Sequence, residues 1–362
     1  MKKLCVAIFV LSLFGMIGGM ATAQDGKVKT LVDQNGDTVE IPAKIERVVT
    51  LALPLPSAYA LTGKPASMVV GMHPGSKSAI ESSIMKVMYP ELLNARTDFI
   101  EGDNLNIEEL MTMQPDIVFY WGDYLNQSEA LKKAGIPAVA VKTQKNGDAI
   151  ATFETWMNIL GQVFDAQVEV GKVVAHARRV QADIEAKAKA IPEDKRVKTL
   201  ILHRNTDTEI VVHGGNMYGQ FWTEITGGVC VTKDLPGNAS ITMEEIYSWD
   251  PDVIIISSFS PAMPDDLYNN TFKGQNWQEL QAVKNKRVYK EPVGVYRWYP
   301  PSGDVPLMLM WMANVQYPEV FSFDMPKEVR EYYKTFYNFE LTDEQLDGIL
   351  NTSVKASAGT KF

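Results

Sequence analysis

Apolar residues along the chain fall into short continuous runs separated by polar, helix-compatible stretches such as residues 57–62 and 127–134. Runs of four to eight apolar residues are typical of strands buried on both faces. Strands alternating with helices predict an α/β fold with parallel sheets covered on both faces. The predicted strands are residues 47–53, 68–71, 117–120, 138–141, 197–203, 209–213, 252–257 and 287–289.

One segment stands apart because it is long and contains no proline before Pro192. Residues 149–190 are rich in Ala, Glu, Gln, Lys and Arg, and a helix of about 40 residues would be about 60 Å long. That length suits a connector between two lobes, with a possible break near Gly161 or Gly171. The predicted organisation is an N-terminal lobe, a connecting helix and a C-terminal lobe over residues 24–148, 149–192 and 193–362.

An internal repeat supports two lobes of similar construction. Residues 106–120 align without a gap to residues 242–256, with Glu-Glu and Pro-Asp at identical spacing. In both copies a polar residue precedes a Glu by three positions, which predicts a helix start. Proline then ends the helix, and a strand follows. Chance similarity is the alternative, because helix–strand units recur in any α/β protein.

Two local signals predict the beginning and the end of the folded chain. Residues 30–41 alternate around Asn35-Gly36, which predicts a β-hairpin. Near the C-terminus, Thr342 and Gln345 have the spacing of a capping box and predict the last helix.

The N-terminus has the pattern of a secretory signal. Lys2 and Lys3 precede an apolar run, residues 4–20, and Ala21 and Ala23 give the small-x-small pattern of a cleavage site before Gln24. Residues 1–23 are therefore predicted as a signal peptide, with the mature protein exported to the periplasm or the extracellular face. The alternative is a membrane anchor, but the run is short and no basic stop-transfer cluster follows it.

Composition narrows the function further. The formal net charge of −9 argues against a general nucleic-acid-binding surface. Beyond the predicted signal peptide the chain keeps one cysteine, Cys230, so it forms no intramolecular disulfide. A composition that is 46% hydrophobic can supply the core instead.

Loops that follow predicted strands are the expected ligand site, because ligands of open α/β sheets bind at the carboxyl ends of the strands. These loops contain aromatic, histidine and arginine residues. The predicted ligand contacts are Pro56, His73, Trp121 and Tyr124 in the first lobe, and His213, Met217, Tyr218, Phe259, Tyr296, Arg297 and Trp298 in the second.

The cluster around Arg297 is the strongest of these candidates. Tyr296, Trp298 and Tyr299 can pack against a planar or apolar ligand, while Arg297 can pair with a carboxylate or an oxyanion. A surface arginine at the edge of the core is the alternative. His73 and His213 are either ligand contacts or ordinary hydrogen-bonded loop residues, and the metal ligands, if any, stay unknown.

Taken in order along the chain, several motifs resemble the periplasmic substrate-binding proteins of ABC importers for iron siderophores, heme and cobalamin. The motifs are the opening hairpin with residues 42–50, residues 104–118, the Glu224-Ile-Thr-Gly-Gly228 turn, and residues 317–321. The resemblance implies two doubly wound lobes with central parallel sheets, joined by one long α-helix, with the ligand in the cleft between them.

The same resemblance implies the partners. A monomer without an intrinsic cofactor would deliver a metal complex, most often of iron, to an ABC permease and its ATPase. Glu224, and less clearly Glu91, match the family's permease-docking carboxylates.

The sequence is also compatible with other functions. The same fold can bind molybdate or tungstate, or a nickel chelate, and it can serve a membrane sensor. An exported α/β hydrolase is a different class, but the sequence has no Gly-x-Ser-x-Gly elbow and no His-Glu-x-x-His motif. Cys230 lies between valines beside a Gly-Gly turn, which favours a buried thiol over a nucleophile.

Overall fold

The computed structural model describes residues 28–350, so the predicted signal peptide lies outside the described residues. The strands are β1 (Val28–Val32), β2 (Thr38–Pro42), β3 (Val48–Thr50), β4 (Val69–Met72), β5 (Ile100–Glu101), β6 (Asn104–Leu105), β7 (Ile117–Trp121), β8 (Ala138–Val141), β9 (Lys198–Asn205), β10 (Ile210–His213), β11 (Val229–Cys230), β12 (Asn238–Ile241), β13 (Val253–Ile256) and β14 (Val288–Lys290). The helices are α1 (Leu55–Ala60), α2 (Pro74–Glu81), α3 (Met85–Met88), α4 (Ile107–Thr112), α5 (Leu125–Lys133), α6 (Ala149–Phe164), α7 (Gln167–Ala188), α8 (Tyr218–Ile225), α9 (Met243–Trp249), α10 (Pro264–Tyr268), α11 (Gln281–Lys284), α12 (Val305–Gln316), α13 (Met325–Phe336) and α14 (Asp343–Leu350).

The N-terminal lobe contains a four-stranded parallel sheet in the order β4-β3-β7-β8. The β1–β2 hairpin lies against the free edge of β8. Ala140 donates its backbone N–H to the carboxylate of Asp33 at 3.0 Å, and Gln34 donates its own to the carbonyl of Ala140 at 3.2 Å. The predicted hairpin is thus confirmed, and its turn covers an edge that would otherwise present unpaired backbone groups.

The C-terminal lobe contains a mixed sheet in the order β12-β10-β9-β13-β14, with β11 also pairing with β9. Strands β9, β11, β13 and β14 run parallel. Strands β10 and β12 are antiparallel to their neighbours. The prediction of a parallel sheet is therefore right for the centre and wrong for this edge, because β10 returns directly beside β9 through a short turn.

Both copies of the internal repeat form the predicted capped helix. The side chain of Asn106 accepts the backbone N–H of Glu109 at 3.2 Å, and α4 follows. Thr242 accepts the N–H of Glu245 at 3.3 Å and donates to that carboxylate, and α9 follows. Each cap satisfies backbone donors that the first turn leaves unpaired.

The Pro-Asp part of the repeat joins the two main strands of each lobe. The carboxylate of Asp116 accepts the backbone N–H of Arg47 at 2.8 Å. The backbone N–H of Asp116 donates to the carbonyl of Arg47, also at 2.8 Å. Asp252 makes the same pair of bonds with Lys198, each at 2.8 Å. The aspartates therefore fix the starts of β3 and β9 beside β7 and β13, and the repeat is structural.

The segment predicted as one connecting helix is divided at Asp165, which has a left-handed backbone with φ of 53°. The predicted helical segment over residues 149–192 therefore has a break, which lies at Asp165 and not at Gly161 or Gly171. Helix α6 packs antiparallel on α7, with Glu154 ion-paired to Arg178. Helix α7 has 22 residues, about 33 Å, and is the single long helix between the lobes.

The lobes share one hydrophobic core. This core takes in the inner faces of both sheets together with α6, α7, α12 and α13, and it includes fully buried Trp156, Trp222 and Trp298. The outer face of each sheet has a smaller cluster of its own. Consequently α7 does not connect the lobes alone, because a packed helical layer lies between them. None of the helices within residues 28–350 is long and apolar enough to cross a membrane.

Candidate functional site

The central feature of the site is a segment that we name the strap, residues 291–304, which leads from β14 to α12. On one side, Trp222 donates its indole N–H to the carbonyl of Tyr299 in the strap at 2.8 Å. On the other, Gly303 of the strap donates its N–H to the hydroxyl of Ser57 in the N-terminal lobe at 3.0 Å. The strap therefore touches both lobes, and it contains three of the predicted ligand contacts.

Arg297 lies on the strap close to two aromatic rings. Its Cζ atom is 4.8 Å from the ring centroid of Phe259 and 5.5 Å from that of Tyr296. Arg297 is buried, with 9% of its surface exposed. Stacking of this kind contributes about 0.5–2 kcal/mol and holds the guanidinium plane in one orientation.

The charge of Arg297 has no contact ion-pair partner within residues 28–350. Glu291 is near enough for the charge of Arg297 to oppose the rise in its pKa that burial causes. Both oxygens of Glu291, however, accept backbone N–H groups and do not contact the guanidinium. A guanidinium has five N–H donors in a planar fork. The site can therefore bind a carboxylate or an oxyanion.

Two buried ionisable side chains, Lys290 and Glu291, lie at the end of β14, where the strap begins. Glu291 is fully buried, and burial raises the pKa of its carboxyl to about 7. Lys290 donates to the carbonyls of Ser257, Ser260 and Ala262 at 3.1, 2.7 and 3.0 Å, and burial lowers the pKa of its ammonium to about 8. No local pattern in the sequence marks either residue as part of a site.

His213 ends β10 and is buried. Its ring stacks on His203 with a centroid distance of 4.0 Å, and its Nδ1 lies 2.6 Å from the hydroxyl of Tyr299. Burial lowers the pKa of His213 to about 3, so the imidazole is neutral. Since Nδ1 already has a partner, only Nε2 is available to a ligand.

Tyr218 and Met217 begin α8 next to this histidine. The ring of Tyr218 meets Tyr299 edge-on at 6.0 Å, and burial raises the pKa of Tyr218 to about 12. The backbone of Met217 lies against Gly147, where a Cβ atom would overlap it. The second-lobe candidates Tyr218, His213, Phe259 and Arg297 are thus linked through Tyr299, His203 and the strap.

The first-lobe candidates form a separate group at the ends of β4 and β7. His73 caps α2 by accepting the N–H of Gly75 on Nδ1 at 2.9 Å, and burial lowers its pKa. Asp103 acts electrostatically on both His73 and Tyr124. Tyr124 is 39% exposed, and the half-buried Trp121 packs on Trp156 with ring centroids 5.8 Å apart.

Two predicted ligand contacts lie in the core instead. Trp298 is fully buried and donates its indole N–H to Asp304 at 3.0 Å, so its ring supports the strap. Pro56 is buried inside α1, next to the Ser57 hydroxyl that the strap contacts. Both side chains are therefore part of the packed interior of the protein.

The predicted docking carboxylates are both exposed, and Cys230 is buried. Glu91 is exposed in a short 3-10 turn, and Glu224 is exposed on α8, where it accepts a hydrogen bond from Gln220 at 2.9 Å. Cys230 is buried, and burial raises the pKa of its thiol. Within residues 28–350 no group of three or more His, Cys, Asp and Glu side chains is arranged to hold a metal ion.

Two α/β lobes with parallel central strands, joined through a shared helical core, have the architecture of a solute-binding protein. A family model described as periplasmic binding protein matches residues 80–292, which is more than half of the chain. The chain belongs to this family of ABC-transporter substrate-binding proteins, which are not enzymes.

Known proteins resemble the chain over most of its length. A crystal structure of a periplasmic solute binding protein from Veillonella parvula is 34% identical, covers 91% of this chain and 98% of its own, and superposes with a TM-score of 0.82. The molybdate-binding protein MolA of Haemophilus influenzae is 26% identical over 337 residues, covering 85% of this chain and 91% of its own. The iron(3+)-hydroxamate-binding protein FhuD of Bacillus subtilis is 26% identical over 324 residues, covering 82% and 92%.

Proposed function

We propose that the protein binds an anionic metal chelate in the cleft and delivers it to an ABC permease. The observation that carries the proposal is the guanidinium of Arg297, which is buried against the rings of Phe259 and Tyr296 without a carboxylate partner within residues 28–350. A buried arginine of this kind is stable when a ligand supplies the counter-charge.

The aromatic residues favour a chelate over a small ion. Phe259 and Tyr296 on one side, with Tyr124 and Trp121 at the strand ends of the other lobe, offer flat apolar surface to an organic ligand. An iron-siderophore complex is the first candidate, and heme or a cobalamin-like ligand belongs to the same class.

Molybdate is the second candidate. It is supported by the likeness to the molybdate-binding protein MolA along most of the chain. An oxyanion needs only Arg297 and nearby hydrogen-bond donors, and the aromatic rings would then be structural.

Titration of the purified protein with a ferric tris-catecholate complex, heme, cobalamin, nickel–histidine and sodium molybdate separates these candidates. Tryptophan fluorescence and calorimetry report binding. We expect micromolar or tighter binding of one anionic chelate, and binding of molybdate alone would replace it with the second candidate. Absence of binding across the panel would contradict both.

A substitution then tests the site itself. Arg297→Ala should weaken the bound ligand by about tenfold or more, since a hydrogen bond to a charged group contributes about 1.5–3 kcal/mol. Arg297→Lys should recover only part of the affinity, because lysine has no planar fork. Arg96→Ala is the matched control, because Arg96 already pairs with Asp98 and Glu109 at 2.8 and 2.7 Å. Equal affinity in Arg297→Ala and Arg96→Ala would remove Arg297 from the site.

The cellular role follows from the same proposal. The chain would be exported to the periplasm or the outer face of the membrane and would dock through the exposed carboxylates Glu91 and Glu224. Glu91→Lys and Glu224→Lys should then lower ligand uptake in cells while the purified variants keep the wild-type ligand affinity. Unchanged uptake would place docking elsewhere.

A further inference from the structure

A single buried carboxylate joins the two loops that meet at Arg297. One oxygen of Glu291, Oε2, accepts the backbone N–H of Ser258 at 2.7 Å. The other, Oε1, accepts the backbone N–H of Tyr299. Ser258 immediately precedes Phe259, and Tyr299 follows Arg297 by two residues. The two ends of one carboxylate therefore set the spacing between the ring and the guanidinium that stack on each other.

The surroundings make this arrangement rigid. The backbone N–H of Glu291 bonds the carbonyl of Ile256 at 2.9 Å, which ties the start of the strap to the end of β13. Lys290, the preceding residue, holds the 257–262 loop through three carbonyls. The Phe259 loop is thus anchored by two neighbouring side chains from the end of β14, and only Glu291 also reaches the Arg297 loop.

We propose that Glu291 is a positioning residue for anion binding, which presents Arg297 to the ligand by bridging the backbone amides of Ser258 and Tyr299. The inference rests on the proposed function only in taking Arg297 as the contact to the anion. Burying a carboxylate carries a large desolvation free energy, and an apolar side chain of similar volume would stabilise the core as well or better. Its presence is explained if the two amides must be held in one exact geometry.

The charge state of Glu291 gives this role a signature. Burial raises its pKa to about 7, while Lys290 and Arg297 oppose that shift. The other titratable groups facing it are the hydroxyls of Tyr296 and Tyr299, which burial keeps protonated at neutral pH. When the carboxyl gains a proton, the protonated oxygen becomes a donor and accepts an amide N–H poorly. One of the two loops is then released.

The test uses Glu291→Gln in the full protein. An amide side chain has one accepting oxygen, so it can hold one loop at a time. We expect the affinity for sodium molybdate or a ferric tris-catecholate complex, whichever the wild type binds, to fall by about tenfold at pH 8. In the wild type that affinity should fall as pH drops from about 8 to 6, whereas the variant should lack the part of this fall that protonation of Glu291 causes. Hydrogen exchange should speed up at the Ser258 and Tyr299 amides.

A stability control separates positioning from general loosening. Ile246→Ala removes a fully buried side chain of α9 on the outer face of the sheet, outside both loops. It should lower the Tm and leave the affinity and its pH profile unchanged. If Glu291→Gln binds with wild-type affinity and pH dependence while Arg297→Ala does not, Glu291 has no positioning role and the anion site stands. If Arg297→Ala also binds normally, the proposed function fails instead.

Discussion

The hydroxyl oxygen of Tyr299 lies 2.6 Å from Nδ1 of His213 and 3.0 Å from the backbone nitrogen of Gly219. Because the Gly219 N–H donates to the tyrosine oxygen, the hydroxyl proton is free to donate to Nδ1. Neutral His213 then has its own proton on Nε2. One hydroxyl in the strap thus ties together the end of β10 and the first turn of α8.

Tyr299→Phe should lower the free energy of unfolding by about 1–3 kcal/mol, because it leaves Nδ1 of His213 and the N–H of Gly219 buried without a partner. The backbone carbonyl that bonds Trp222 is unaffected. Urea unfolding measures the change. Tyr247→Phe is the control, since the Tyr247 hydroxyl bonds the carbonyl of Asn276 at an exposed position. Equal effects of the two substitutions would contradict the buried network.

Asp304 predicts a pH dependence of stability. Its carboxylate accepts hydrogen bonds from the N–H of Val295, the indole of Trp298 and the hydroxyls of Tyr333 and Tyr337. Burial raises its folded-state pKa to about 6, above the usual value of 3.8. The stability that this group contributes is therefore fully present below about pH 3.8 and is lost as pH rises through about 6.

Asp304→Asn removes that titration and nearly preserves the shape of the side chain. The stability advantage of the wild type over the variant should therefore shrink by about 1–3 kcal/mol between pH 4 and pH 7. Denaturant unfolding at several pH values measures it. Asp98→Asn should give the opposite sign, because Arg96 lowers the pKa of Asp98 and that stability is lost as pH falls. A pH-independent difference for Asp304→Asn would contradict the assigned shift.

The two-lobed fold could be read from the sequence because its signals are local. Asn106 and Thr242 predict helix starts, and Pro115 and Pro251 predict the helix ends. Helices α4 and α9 lie between these residues, as predicted. The break at Asp165 was not readable in this way. The left-handed residue there is an aspartate, whereas the glycines at which a break was expected lie inside regular helix.

The site was predictable only in part. Loop position and residue type pointed to Phe259 and Arg297, which the structure brings together. Glu291 and Asp304 were missed, because a buried carboxylate is recognised by the donors around it, and three of those donors, on Ser258, Tyr333 and Tyr337, are distant in sequence. Trp298 was predicted as a ligand contact, but its buried indole N–H donates to Asp304.

The repeat makes a prediction about its two caps. Thr242→Ala should lower the free energy of unfolding by about 0.5–2 kcal/mol, because it removes a hydroxyl that both accepts the Glu245 N–H and donates to the Glu245 carboxylate. Asn106→Ala should cost less, since Asn106 only accepts one N–H, that of Glu109. Urea unfolding of both variants tests the order. A larger loss in Asn106→Ala would contradict the reading of the Thr242 cap as the stronger one.

The strap leaves no space at Gly294. A Cβ atom there would overlap the carboxylate of Asp304 and the hydroxyl of Tyr333. Gly294→Ala should therefore lower the free energy of unfolding by about 1–3 kcal/mol or more, since the overlapped groups belong to a buried network that cannot move freely. Gly171→Ala is the matched control, because nothing lies within 4 Å of a Cβ atom at that position in α7. It should stabilise the protein by up to about 1 kcal/mol, as alanine is the better helix former. Thermal and urea unfolding measure both variants, and a neutral Gly294→Ala would show that the strap repacks and does not hold Asp304 in one place.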